Sequence, residues 1–191
     1  MKAEGRLIAD RESAWNLLTE FTKSESLLKH ALAVEAAMRH YARIFGEDED
    51  VWGVVGLIHD FDYERWPAAP DHPEQGMRIL RERGWPEELV AAVGSHADYT
   101  GIPRETLLAR TLFAVDELCG FLTAVAYVRP SRRIADVEVS SVKKKMKDKA
   151  FARSVSREDI TRGADLLGLP LDVHIGHCLQ ALSAVAPSLG L

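Results

Sequence analysis

The sequence predicts an all-α fold. Apolar residues recur at steps of three and four along most of the 191 residues, the spacing of a buried helix stripe. Gly and Pro fall between the periodic segments, where helices stop and start. Strand candidates are almost absent. The apolar run at residues 51–58 has no second run to pair with, and Val137-Glu138-Val139 is too short. These observations predict one core and about eight or nine helices.

The elements follow in order. Residues 11–21 form a short amphipathic helix. Thr22 and Glu25 have the spacing of a capping box, opening a long helix. Its stripe is Leu27, Leu28, Ala31, Val34, Met38, Tyr41 and Phe45, and Gly46 is its stop. The acidic residues 47–50 suit the first turn of a third helix, running to about Phe61. Two prolines make residues 67–71 a loop. Pro73 opens a helix that ends before Gly84, and Pro86 opens another through about His96. Residues 104–128 are the longest periodic run, ended by Pro130. Residues 131–139 are polar and irregular. Helices follow near 141–152, 157–168 and 171–186, with Ser156 and Asp159 at capping spacing.

The length suits one domain over 1–191, with a core at about 25–130 and C-terminal helices at 140–188 packing on it. Hydrophobic residues at 47% can fill such a core. A net charge of −5 argues against nucleic acid as a partner. No apolar run reaches the roughly 18 residues of a membrane span. The charged N-terminal stretch to residue 15 lacks the apolar centre of a secretory signal. Cys119 and Cys178 read as buried free thiols, which fits a cytoplasmic protein. The oligomeric state is not legible.

The chemistry concentrates in six residues. His59 and Asp60 close the apolar run, where an imidazole and a carboxylate are costly without compensation. A divalent metal compensates both. His30 lies near its helix stripe, three after Leu27 and four before Val34. His96 faces inward, three after Val93. Asp116 sits in the middle of the longest apolar helix, where it needs a cation or several donors. His72 begins a helix. Several helices each deliver a ligand-type group inward, as helix-bundle metal sites do. His40, His174 and His177 read instead as ordinary core or surface histidines.

The order His30, His59-Asp60, Asp116 resembles the HD superfamily of metal-dependent phosphohydrolases, and His72 with His96 resembles its two-metal subgroup. The block HPEQGMRILRERGWPEELVAAVGSHADYTG looks like the histidine–helix–turn–helix–histidine unit found there. The stretches AVDELCG, YVRPSRR and SVKKKMKDKAF look like a bacterial branch of predicted HD hydrolases. The likeness covers about residues 25–160. It implies the helical HD-domain fold, a first metal on His30, His59, Asp60 and Asp116, and a second completed by His72 and His96, with Asp60 bridging. Tyr63 stands where many relatives carry a lysine, so that lysine's substrate role is not carried over.

Such ions activate water and clamp an in-line displacement at phosphorus. Imidazole and carboxylate ligands suit Fe, Mn, Co, Ni or Zn, as one ion or two. The expected activity is phosphomonoester or phosphodiester hydrolysis of a small phosphorylated metabolite, with a nucleotide the first choice. Asp60 and Asp62 are the catalytic candidates, Asp62 as the carboxylate that orients a ligating histidine. Arg129, Arg132, Lys144 and Lys145 are candidate phosphate contacts, although about 13 residues of helix place Arg129 nearly 20 Å from Asp116. Trp52, Trp66, Trp85 and Phe61 read as core before they read as base-stacking platforms. Two alternatives share the ligand order. One is a mixed-valent di-iron oxygenase resembling myo-inositol oxygenase. The other is a non-catalytic nucleotide-binding HD module.

Overall fold

A computed structural model of the chain describes residues 10–191. The N-terminal stretch considered above for a secretory signal lies, through residue 9, outside them. Among the described residues there are ten α-helices, two 3-10 turns and no strand. No helix there is long and apolar enough to cross a membrane.

Helix α1 (Arg11–Phe21) opens on Asp10, whose carboxylate accepts from Ser13 N–H at 2.7 Å. The long α2 (Glu25–Phe45) ends at Gly46, which takes the left-handed conformation at φ 73°. The predicted capping box does not form. Thr22 closes α1 instead, its hydroxyl donating to Phe61 O at 3.0 Å, and Ser24 stands at the start of α2. That buried tertiary partner outcompetes a local cap. Helix α3 (Glu49–Ile58) is capped by Asp48, which accepts from Asp50 and Val51 N–H. Every residue from 52 to 58 is buried, so the continuous apolar run is a core helix.

Helices α4 (Asp71–Glu82) and α5 (Glu87–Ser95) form a hairpin that packs through α5 on α3 and on α6 (Leu107–Tyr127). Thr106 caps α6 through Ala109 N–H. Helix α7 (Val139–Met146) ends earlier than the predicted segment. Only Val142 on it is buried, and the Asp148 carboxylate captures the N–H groups of Ala150 and Phe151 in a turn. Helix α8 (Arg157–Leu166) has its expected Ser156 cap on Asp159 N–H. Helix α9 (Leu171–Ala184) stops before a further short helix, α10 (Ala186–Leu189), where Pro187 cannot donate to a continuing ladder.

The core is one cluster of buried residues running from Ala14 to Leu189. Helix α2 lies at its centre, packed on α3, α6, α9 and α10. Gly56 permits the α2–α3 approach, since a Cβ there would sit 2.9 Å from Val34 O. Gly163 permits that of α8 on α6, since its Cβ would sit 2.6 Å from Ala114 Cα. Cys119 and Cys178 are free and buried.

Candidate metal centre

Five helices and one turn bring the six residues together. His30 comes from the first half of α2, and Asp116 from the middle of α6. His59 follows the last residue of α3 and His96 the last residue of α5, with Asp60 in the turn after α3. His72 sits at the start of α4 with extended backbone (ψ 134°), the conformation that the following Pro73 imposes.

The two helix-end histidines use one device. His59 Nδ1 donates to Gly56 O at 2.8 Å, and His96 Nδ1 donates to Val93 O at 2.5 Å. Each ring thus bonds a carbonyl of its helix's last turn, and Val93 O also accepts from His96 N–H at 3.4 Å. Each also keeps its Nε2 lone pair free and aimed away from the helix. His72 reaches the same state through a carboxylate, its Nδ1 donating to Asp62 at 2.8 Å.

Two ligand groups result. In one, the donor atoms of His30, His59, Asp60 and Asp116 lie within 4.8 Å of one another; in the other, those of Asp60, His72 and His96 do. Asp60 is shared between them. One of its oxygens faces His59 Nε2 at 3.5 Å, and the other faces His72 Nε2 at 3.2 Å and His96 Nε2 at 3.3 Å. Asp116 Oδ1 lies 3.0 Å from His30 Nε2 and 3.4 Å from His59 Nε2.

This donor set fits a cation. His59 Nε2 and Asp60 Oδ1 are buried and have no hydrogen-bond partner among the described residues. The Nε2 atoms of His72 and His96 face each other at 3.1 Å, although both rings already spend their Nδ1 protons elsewhere. Lone pairs so opposed need positive charge between them. The electrostatics agree. Burial pulls His59 down, but the charges of Asp60 and Asp116 overcome it and hold the imidazole well above its ordinary range. Burial likewise opposes His72, yet the neighbouring carboxylates of Asp60 and Asp62 lift it to about 9. Burial would raise Asp60 and Asp116; the charge of His59 keeps both carboxylates low. The ends of α3 and α5 add the negative potential of two carbonyl termini.

A cavity of about 520 Å³ opens on five of the six; His59 lies behind, fully buried. Its remaining wall includes Tyr63, Asp98, Tyr99, Phe113, Glu117 and Asp159. Of these, the sequence reading singled out only Tyr63, although Phe113 lies three before Asp116 and so on the same helix face. Burial and then the neighbouring Asp116 charge push the Glu117 carboxyl up to about 7, against its bond from Ser156 N–H. Asp62 is buried behind His72, accepting also from Gly76 N–H at 2.8 Å, and does not line the cavity. It positions His72 without facing a substrate.

Among the described residues, no Lys or Arg lines this cavity. Arg104 and Arg162 stand behind Asp98, both bound to its carboxylate at 2.7 and 2.5 Å. The structure does not bring Arg129, Arg132, Lys144 or Lys145 to the metal-ligand cluster. Helix α6 runs unbroken from Asp116 to Tyr127, carrying the chain about 16 Å away. Arg129, Lys144 and Lys145 line a second cavity instead, and Arg132 follows in a turn at φ 50°. Trp52, Trp85 and Phe61 are core residues, and Trp66 packs near Phe21. His174 is fully buried and satisfied, with Tyr41 donating to its Nδ1 at 2.5 Å and its Nε2 donating to Ala114 O at 2.9 Å.

No solved structure matches this chain significantly. A family model described as HD domain matches residues 27–120, a span that begins just before His30 and ends just after Asp116. Residues 27–120 of the chain therefore form an HD domain, the domain of a superfamily of metal-dependent hydrolases.

Proposed function

We propose that this protein is a phosphohydrolase, cleaving a phosphoric ester of a small metabolite, with a nucleotide as the first candidate. The observation that supports the reading most is the pair of buried atoms His59 Nε2 and Asp60 Oδ1, unpartnered among the described residues, inside a cluster of six ligand-type residues. On this reading His30, His59, Asp60 and Asp116 hold one divalent ion, and Asp60, His72 and His96 hold a second. Ions of this kind supply an activated water and neutralise charge developing on phosphoryl oxygens.

The chain's own residues do the rest. Asp60 divides its two oxygens between the groups and fixes their separation. Asp62 and the two helix-end carbonyls, Gly56 O and Val93 O, fix the tautomers of His72, His59 and His96. Tyr99 donates to His72 O and braces the start of α4. Phe113, Tyr63 and Tyr99 give the cavity an aromatic wall suited to a sugar or base. With no Lys or Arg on that wall among the described residues, a substrate's negative charge depends on the bound cations. Two buried free thiols fit a reducing compartment, and we place the protein in the cytoplasm.

The test is elemental analysis of protein purified without chelator, followed by a phosphatase and phosphodiesterase panel with the metal found. Metal-dependent hydrolysis is expected, lost together with bound metal in Asp60→Asn while helical content is kept. An Asp60→Asn variant with unchanged metal and rate defeats the assignment. Oxygen uptake by iron-loaded protein without phosphate release replaces it with the oxygenase reading. Nucleotide binding without turnover replaces it with the binding module.

A further inference from the structure

A second cavity, of about 560 Å³, lies where the end of α6 meets α7. It shares no lining residue with the metal cavity. Arg129, Lys144 and Lys145 line it, against a single acid, Asp148. Among the described residues, none of these three cations makes an ion pair, nor does any of their side chains donate a hydrogen bond to the protein. Lys143, on the same helix, pairs with Asp172 at 2.8 Å. Lys145 rests its ammonium 4.6 Å over the Phe151 ring. The Ser141 hydroxyl, also on the lining, makes no hydrogen bond among the described residues.

Cations in the last turn of a helix answer its carbonyl end. That accounts for the lysines of α7 but not for Arg129, which comes from the turn after α6 and opens onto the same space. The local charge is also out of keeping with the chain. Residues 129–153 carry nine Lys and Arg against three acids, in a protein of net charge −5. Gathering like charges around a concavity is unfavourable unless an anion shares it.

We propose that this cavity is a second ligand site, for a phosphate-bearing small molecule with an apolar part. The Arg129 guanidinium can grip two phosphoryl oxygens at once. Lys144 and Lys145 add point charges, and Ser141 adds a neutral donor. Val125, Val128 and Pro130 form the apolar wall, and Val128 is 57% exposed, which suits contact with a ligand. The volume lies within the range of small-molecule sites. The site is independent of the hydrolase reading, since it uses none of the metal-cluster residues.

The test is calorimetric titration of the full chain with ADP and with inorganic pyrophosphate, in EDTA so that the metal centre takes no phosphate. Both probes are expected to bind at one site, ADP more tightly. Affinity is expected to fall at least tenfold in Arg129→Ala and in the double variant Lys144→Ala, Lys145→Ala. It is expected to stay as it is in Asp60→Asn. Circular dichroism checks that each variant is folded. Undiminished binding in the basic-residue variants overturns the proposal, as does loss in Asp60→Asn. Binding of a 12-nucleotide single strand with no binding of either small probe overturns it in favour of a polyanion surface.

Discussion

Replacing Asp62 by Asn tests how the second ligand group is built. The Asp62 side chain is 1% exposed and accepts two bonds of 2.8 Å, from His72 Nδ1 and from Gly76 N–H. An amide of the same shape offers one acceptor where the carboxylate offered two. If its NH2 faces Gly76, a buried backbone donor is left unpaired, at about 1–3 kcal/mol. The peptide cannot change its protonation, but the imidazole can change tautomer. The less costly arrangement therefore turns the amide oxygen to Gly76 and the NH2 to His72. The His72 proton then moves to Nε2, which faces Asp60 at 3.2 Å and loses its lone pair as a ligand. Removing an orienting partner of this kind weakens metal affinity about 10–100-fold, roughly 1.4–2.7 kcal/mol. The group of His30, His59, Asp60 and Asp116 does not contact Asp62 and keeps its affinity. Manganese titration by equilibrium dialysis should resolve one unchanged site and one weakened site, with the far-UV spectrum of the wild type. Two sites of wild-type affinity would refute the tautomer argument. Loss of both would show that the two groups are not separable.

Gly76→Ala should give the same phenotype without replacing a polar group, because its Cβ would lie 2.8 Å from Asp62 Cγ and force that carboxylate aside; normal metal stoichiometry in this variant would mean that the pocket yields freely. Gly163→Ala should lower stability by about 1–3 kcal/mol through overpacking, its Cβ meeting Ala114 Cα at 2.6 Å across the α6–α8 contact; an unchanged urea midpoint would contradict the close approach. Burial holds His174 at about 4 against its bond to Ala114 O, so between pH 6.5 and 4 the unfolded chain takes up a proton that the folded one does not. Stability contributed by neutral His174 is complete above about pH 6.5 and falls toward pH 4, by about 3 kcal/mol at 1.36 kcal/mol per pH unit; an NMR titration of its ring with a midpoint near 6.5 would rule this out. Asp48→Ala should cost about 1 kcal/mol by freeing two N–H groups at the start of α3, read as a shift in thermal midpoint.

The clearest candidate ligands were legible because they break their local pattern. His59-Asp60 ends an apolar run, and Asp116 interrupts the most apolar helix; burial of such groups carries a penalty that must be offset wherever they go. The helices were legible for a related reason. Their periodicity and most of their caps are interactions within a few residues, so Ser156 and Gly46 do in the fold what their spacing implies. The Thr22 capping box misled because a hydroxyl has several acceptors in reach, and Phe61 O, 39 residues away, is invisible to local spacing.

The sequence by itself therefore determined the helical class and which residues are candidates to hold a cation. It offered Asp62 as a carboxylate to orient a histidine, and the structure identified that histidine as His72. Only the tertiary structure decided which cavity each side chain faces. The straight course of α6 separates Arg129 from Asp116, and the early end of α7 sets Lys144 and Lys145 beside Arg129. The α8 packing that Gly163 permits brings Asp159 to the metal cavity wall. These placements depend on how helices cross, and helix crossing is fixed by contacts between residues far apart in the chain, which periodicity does not record.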